Sequence, residues 1–237
     1  MLRIEGMGIE RGTASHSYRV ELPALTLKRG EVAAITGPSG CGKSTLLEMI
    51  GLILAPARLL SFTLGDADAV DVAGFLQRDA QGSLADLRAH RMGFVLQTGG
   101  LLPFLNVRQN IELPRRINGL PPRCTLVDYA VSRLDLQHLL EKLPRQLSIG
   151  ERQRVSFVRA IAHQPDLLLA DEPTAALDPF QARRLFELII DIVQRFQIAA
   201  LLVTHDWDLV RDCAIRNVAG TADDSGTRRG TVFRDAA

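Results

Sequence analysis

Apolar residues along this chain fall into two kinds of run. Short, nearly continuous ones stand at Val32 to Thr36, Asp166 to Asp171 and Ile198 to Thr204, with a further strand-like run from Met92 to Gln97. Continuous apolar runs of this length suit strands buried on both faces. Between them, apolar residues recur three or four apart, as at Val155, Val158 and Ile161. That spacing predicts helices over Lys43 to Ile53, Glu151 to His163 and Pro179 to Phe196. Asp178 is placed to cap the last, with Pro179 at its first helical position. Strands separated by long helical stretches predict a largely parallel sheet covered by helices, an α/β core.

Two segments depart from this alternation. From Ala57 to Asp86 the run Leu60-Ser61-Phe62-Thr63-Leu64, followed by Gly and Asp, reads as a small β-rich lobe. From Gln97 to Leu147, turns rich in Leu, Pro and Asn lead into amphipathic helix, the mark of an inserted helical lobe. The tail after Arg216 is weakly patterned, and no internal repeat is present.

Composition narrows the classes. A chain of 237 residues, 46% hydrophobic, supports one sizeable core, with room for two lobes. Its 28 Lys and Arg nearly balance 27 Asp and Glu, so no long-range field favours bulk nucleic-acid binding. Cys41, Cys124 and Cys213 form no C-x-x-C pair, which argues against a zinc site or disulfide framework and fits a reducing cytosol. Met1 to Glu10 is too mixed for a signal peptide. The most apolar stretches, Met49 to Leu60 and Leu185 to Val193, are interrupted well short of the roughly 20 residues of a spanning helix. The expectation is a cytoplasmic chain that does not itself cross a membrane.

The chemistry lies at strand ends. Gly37-Pro38-Ser39-Gly40-Cys41-Gly42-Lys43-Ser44-Thr45 matches G-x-x-x-x-G-K-[ST] between a predicted strand and a predicted helix. Glycines let such a loop curl its N–H groups around a phosphate, and the helix adds its positive end. Lys43 would bridge the β- and γ-phosphates, and the Ser44 hydroxyl would ligate magnesium. At Cys41 the geometry demands only a small residue. Asp171 and Glu172 follow the apolar run Leu167-Leu168-Leu169-Ala170, which would deliver them to the carboxyl edge of the sheet. There Asp171 would hold magnesium through its hydration shell, and Glu172 would polarise the attacking water as general base.

With these residues in place, the chain resembles the nucleotide-binding subunit of an ATP-binding cassette (ABC) transporter over roughly Gly30 to Asp206. The family's L-S-G-G-Q signature corresponds to Leu147-Ser148-Ile149-Gly150-Glu151. Ile149 replaces the first signature glycine and Glu151 the glutamine, leaving Ser148, Gly150 and the helix N-terminus with anion-binding character. The resemblance implies a P-loop NTPase fold with a mostly parallel core sheet, a small antiparallel β lobe and an inserted α-helical lobe. In those terms residues 1–97 and 164–237 form the core with its β lobe, and 98–163 the helical lobe with the signature, all within one domain.

The resemblance also implies that two copies sandwich two ATP molecules head to tail, each signature closing on the γ-phosphate held by the other chain. Gln97 matches the glutamine linking magnesium and attacking water to the helical lobe. Ala176-Leu177-Asp178 matches a loop that communicates between paired sites, and Asp178 serves equally as a plain N-cap. His205, in Val203-Thr204-His205-Asp206, matches the switch histidine at the γ-phosphate. An aromatic is expected to stack on adenine; Tyr18, with His16 behind it, is the candidate, although Tyr18 also reads as a strand residue before Arg19-Val20-Glu21-Leu22. Leu101-Leu102-Pro103-Phe104-Leu105 resembles the lipoprotein-release and macrolide-efflux branch and would receive a membrane subunit. The expected cofactors are ATP and Mg2+, and the expected partners a second copy and separate membrane permease subunits, with the chain peripheral on the cytoplasmic face of the cell membrane. A soluble mechanochemical ATPase of the same fold is the competing reading. Such relatives carry two cassettes in one chain or long coiled-coil arms, and this sequence has neither.

Overall fold

The computed structural model describes residues 1–13, 16–175, 177–223 and 229–235. The four strand-like runs become β3 (Val32–Thr36), β6 (Met92–Val95), β7 (Leu167–Asp171) and β8 (Ala199–Val203). They lie parallel in the order β3-β8-β7-β6. Their double-sided burial is explicit in the packing. Leu167, Leu169, Leu201 and Val203 enter one apolar cluster, and Leu168, Ala170, Ala200 and Leu202 the other. Helix α1 (Lys43–Ile50) covers the first face through Leu46, Met49 and Ile50. The opposite face is covered by α6 (Ile149–Ile161) and α7 (Pro179–Arg195).

The sheet extends well beyond these four strands. Strands β1 (Leu2–Thr13) and β2 (His16–Leu27) form a long antiparallel hairpin, and β1 also pairs with β4 (Ser61–Leu64), which pairs with β5 (Val70–Asp71). The weakly patterned tail supplies β9 (Arg216–Asp223), parallel to β3, and β10 (Arg229–Asp235), parallel to β2. These two strands weld the antiparallel region to the parallel core in one ten-stranded sheet. Within Ala57 to Asp86 the β pattern stops at Asp71, and α2 (Val72–Gln77) and α3 (Gln81–Arg91) follow. The antiparallel lobe is therefore built chiefly from the N-terminal hairpin.

The inserted segment holds α4 (Val107–Ile117) and α5 (Thr125–Arg133) before α6. Asn106 caps α4 with a reciprocal Asn106–Gln109 box. Buried Val107, Ile111, Leu126, Ala130 and Val131 join the same apolar cluster that α6 and α7 press onto the sheet. Among the described residues no helix is long and apolar enough to cross a membrane.

Candidate functional site

Because β3, β6, β7 and β8 run parallel, the residues just past their carboxyl ends meet along one edge of the sheet. From β3 the chain enters the loop Gly37 to Gly42. Gly40 has φ of 76° with nothing within 4 Å of where a Cβ would stand, so the crest of the loop is open. Gly42, at φ 92°, needs to be glycine for a second reason, since a Cβ there would lie 2.5 Å from Val20 Cγ2. The start of α1 has no side-chain cap, which leaves its first N–H groups free to meet an anion. Lys43 is buried, its Nζ donating to the carbonyl oxygens of Gly37 at 2.9 Å and Pro38 at 3.0 Å.

Ser44, next along, hydrogen-bonds the carboxylate of Asp171 at the end of β7. Burial pushes the Asp171 pKa up, with the neighbouring Glu172 charge acting the same way; the Ser44 hydrogen bond and the Lys43 charge oppose them. This is an oxygen-donor pair with one carboxylate. Among the described residues no group of three or more His, Cys, Asp or Glu could hold a metal. That donor set suits Mg2+, which keeps several waters and takes one or two carboxylates plus phosphate oxygens, and does not suit an all-protein metal cage.

Glu172 gathers the rest. It has φ of 49°, an uncommon conformation for a side chain of this size, held by its N–H donating to Val203 O at 3.0 Å. Its two carboxylate oxygens face different strands: Oε1 lies 2.8 Å from His205 Nδ1, past β8, and Oε2 accepts from Gln97 Nε2 at 3.2 Å, past β6. Three residues chosen on the sequence from three strand ends are thus in direct contact.

The other candidates stand apart from this group. Ser148 caps α6: its Oγ accepts from Glu151 N at 3.2 Å, and the Glu151 carboxylate accepts from Ser148 N at 2.6 Å. That backbone hydrogen bond holds the Glu151 pKa below its usual value. Gly150 faces Leu177, whose Cδ2 would be 2.9 Å from a Cβ placed there. Asp178 accepts from the N–H groups of Phe180 and Gln181, each at 3.1 Å, as the expected cap of α7. Ala176 and the side chain of His16 lie outside the described residues. Tyr18 is a β2 residue whose hydroxyl bonds Thr231, and its ring edge would be 3.7 Å from a Cβ on Gly42, at the end of the glycine-rich loop.

Three further residues contribute. Thr231 anchors Tyr18 from a tail with little visible pattern. Ser156 donates to Gly99 O at 2.6 Å and Arg159 donates to Gly100 O, fastening the loop after Gln97 to α6. A serine and an arginine three apart on a helix carry no signal of that purpose.

A family model described as ABC transporter matches residues 21–175. The lipoprotein-releasing system ATP-binding protein LolD 1 of Rhodospirillum rubrum is 40% identical over 190 residues, covering 79% of this chain and 80% of that protein. The dimeric structure of MJ0796, a bacterial ABC transporter cassette, superposes with a TM-score of 0.77 at 26% identity, covering 92% of this chain and 94% of that one. A dimeric post-hydrolysis state of the same cassette, bound to ADP and Pi, gives 0.74 at 27% identity with the same coverage.

Proposed function

As this chain belongs to the ABC transporter family, we propose that it is the ATP-binding and ATP-hydrolysing subunit of such a transporter, dimerising around nucleotide and driving separate membrane permease subunits. The observation that carries the reading is the convergence of Gln97 and His205 on Glu172, one residue from the Asp171–Ser44 pair and the phosphate loop.

Each residue takes a role from its chemistry. The N–H groups of Gly37 to Gly42 and of the first turn of α1 would bind the phosphates, with Pro38, Ser39, Cys41 and Thr45 completing the loop. Lys43 would leave its loop carbonyls for the β- and γ-phosphate oxygens, a charge-assisted contact. Ser44, Asp171 and Gln97 would hold Mg2+, which when bound neutralises phosphate charge. Glu172 would take the proton of the attacking water, and His205 would hydrogen-bond the γ-phosphate. Tyr18 would stack on adenine. Ser148, Gly150 and Glu151 would face the partner copy's nucleotide, and Asp178 would set the loop between the two sites. The cassette would sit peripherally on the cytoplasmic face of the membrane, against the permease subunits it drives. The LolD relatives support a place in the lipoprotein-release branch.

Glu172→Gln is expected to keep ATP binding, lose hydrolysis and accumulate an ATP-bound dimer. Size-exclusion chromatography with ATP and a phosphate-release assay check both halves. Undiminished turnover would remove Glu172 from the reaction.

A further inference from the structure

Away from the group around Glu172, a cavity of about 160 Å³ opens where α7 meets α6 and the end of α5. Arg133, Asp135, Arg154, Gln181, Arg184 and Leu185 line it. Three guanidinium groups thus share a small space with one carboxylate, and their charges are poorly answered. Arg133 reaches its nearest acid, Asp191, only at 3.7 Å, and Asp135 stands 3.8 Å from His138. Exposed Arg184 has no ion pair or hydrogen bond among the described residues. Arg154 also lines the cavity, and its Nε, sealed from solvent, has no hydrogen-bond partner among the described residues. Leaving a buried donor unpaired costs about 1–3 kcal/mol, and the guanidinium that carries it adds a third cation to the cavity wall.

The chemistry of that acceptor follows from charge, shape and size. Guanidinium forks favour oxygens presented in a plane, two to a fork, as a phosphate or carboxylate presents them. Buried Leu134 and Leu185 form an apolar floor, which strengthens the attraction between the arginines and an anion. Ligand-sized pockets run to about 300–1,000 Å³, and this one is smaller, so it accepts a single charged group and excludes a whole nucleotide.

We propose that this cavity is a second anion site, separate from the phosphate loop, which takes one phosphate group, either free inorganic phosphate or the phosphate of a small monoester. An anion there joins α7, on the sheet, to α5 and α6, in the helical lobe. It also adjoins the signature: a Cβ on Gly150 would lie 3.8 Å from Arg154 Nη1 and 2.9 Å from Leu177 Cδ2. Occupancy therefore bears on the position of the signature helix relative to the loop before α7.

The test follows the arginine Nε–Hε resonances of the full chain by NMR during titration with inorganic phosphate and, separately, glycerol 3-phosphate, each against sodium chloride at matched ionic strength. The expected result is a saturable movement at Arg154 and Arg184 with at least one anion, and the tighter of the two identifies the source. Arg184→Gln, or Arg133→Gln on a different element, should weaken it about tenfold, the value of one charge-assisted hydrogen bond. Lys43→Ala should leave it in place, because the phosphate loop is elsewhere. Shifts that grow linearly with either anion, that are shared by surface arginines such as Arg211, or that vanish in Lys43→Ala but persist in Arg184→Gln would overturn the proposal.

Discussion

Glu172 sits at φ 49°, in a region that costs a non-glycine residue about 1–3 kcal/mol, and the compensation is contact with both Gln97 and His205. Other residues are fixed by steric necessity. A Cβ on Gly93 would lie 2.1 Å from Ala160 O, because the end of α6 is pressed onto β6 at that point. Gly93→Ala is expected to destabilise the chain by about 1–3 kcal/mol through overpacking, measured as a lower urea midpoint. His163 gives a pH-dependent case. Burial lowers its pKa; Nε2 contacts Met92 O at 3.0 Å, and among the described residues Nδ1 has no partner to receive a proton's hydrogen bond. The folded state therefore resists the proton that the unfolded chain accepts near the ordinary value of 6.5. Stability contributed by neutral His163 is present above that pH and lost as pH falls through it. Thermal melts from pH 7.5 to 5.5 should show that loss, and His163→Gln should flatten the slope.

At the scale of elements, α6 connects the two lobes. Its C-terminal turn rests on Gly93, its middle grips the Gly99–Gly100 turn through Ser156 and Arg159, and its N-terminus is the capped signature. Arg159 accepts a desolvation that lowers its pKa in order to reach a carbonyl. Ser156→Ala is expected to lose about 1 kcal/mol of stability and, because the loop carries Gln97, to lower kcat with little change in ATP affinity. Steady-state hydrolysis beside nucleotide titration separates the two effects. Elements of this kind were legible to different degrees. Strands β3, β7 and β8 announce themselves because both faces are buried, so every position before their last residues is apolar. The β1–β2 hairpin does not, for its inward residues run Leu2, Ile4, then Met7, and Val20, Leu22, then Leu25. The alternation changes phase at Gly6 and Pro23, which a period of two cannot follow.

At the scale of the molecule, the helical lobe and the sheet share one apolar cluster that includes Ile111, Leu126, Phe157, Leu168 and Phe186. Because the two lobes are packed on this common cluster, they should unfold together. Trp207, the one tryptophan, reports on the sheet edge, while far-UV circular dichroism reports on the helices. Coincident thermal transitions by the two probes are expected, and a separate helical step would contradict the shared core. The 37–42 loop, the acidic pair and the strand ends that carry Gln97 and His205 are legible from residue order alone, since these depend on short spacings within single strand–loop units. The cap at Asp178 is local in the same way. Only the tertiary structure decided that Glu172 bridges Gln97 and His205, that the tail closes the sheet beside Tyr18, and that three arginines from separate helices share one cavity. Those arrangements depend on contacts between residues far apart in the chain, and their geometry follows from packing, which no local pattern encodes.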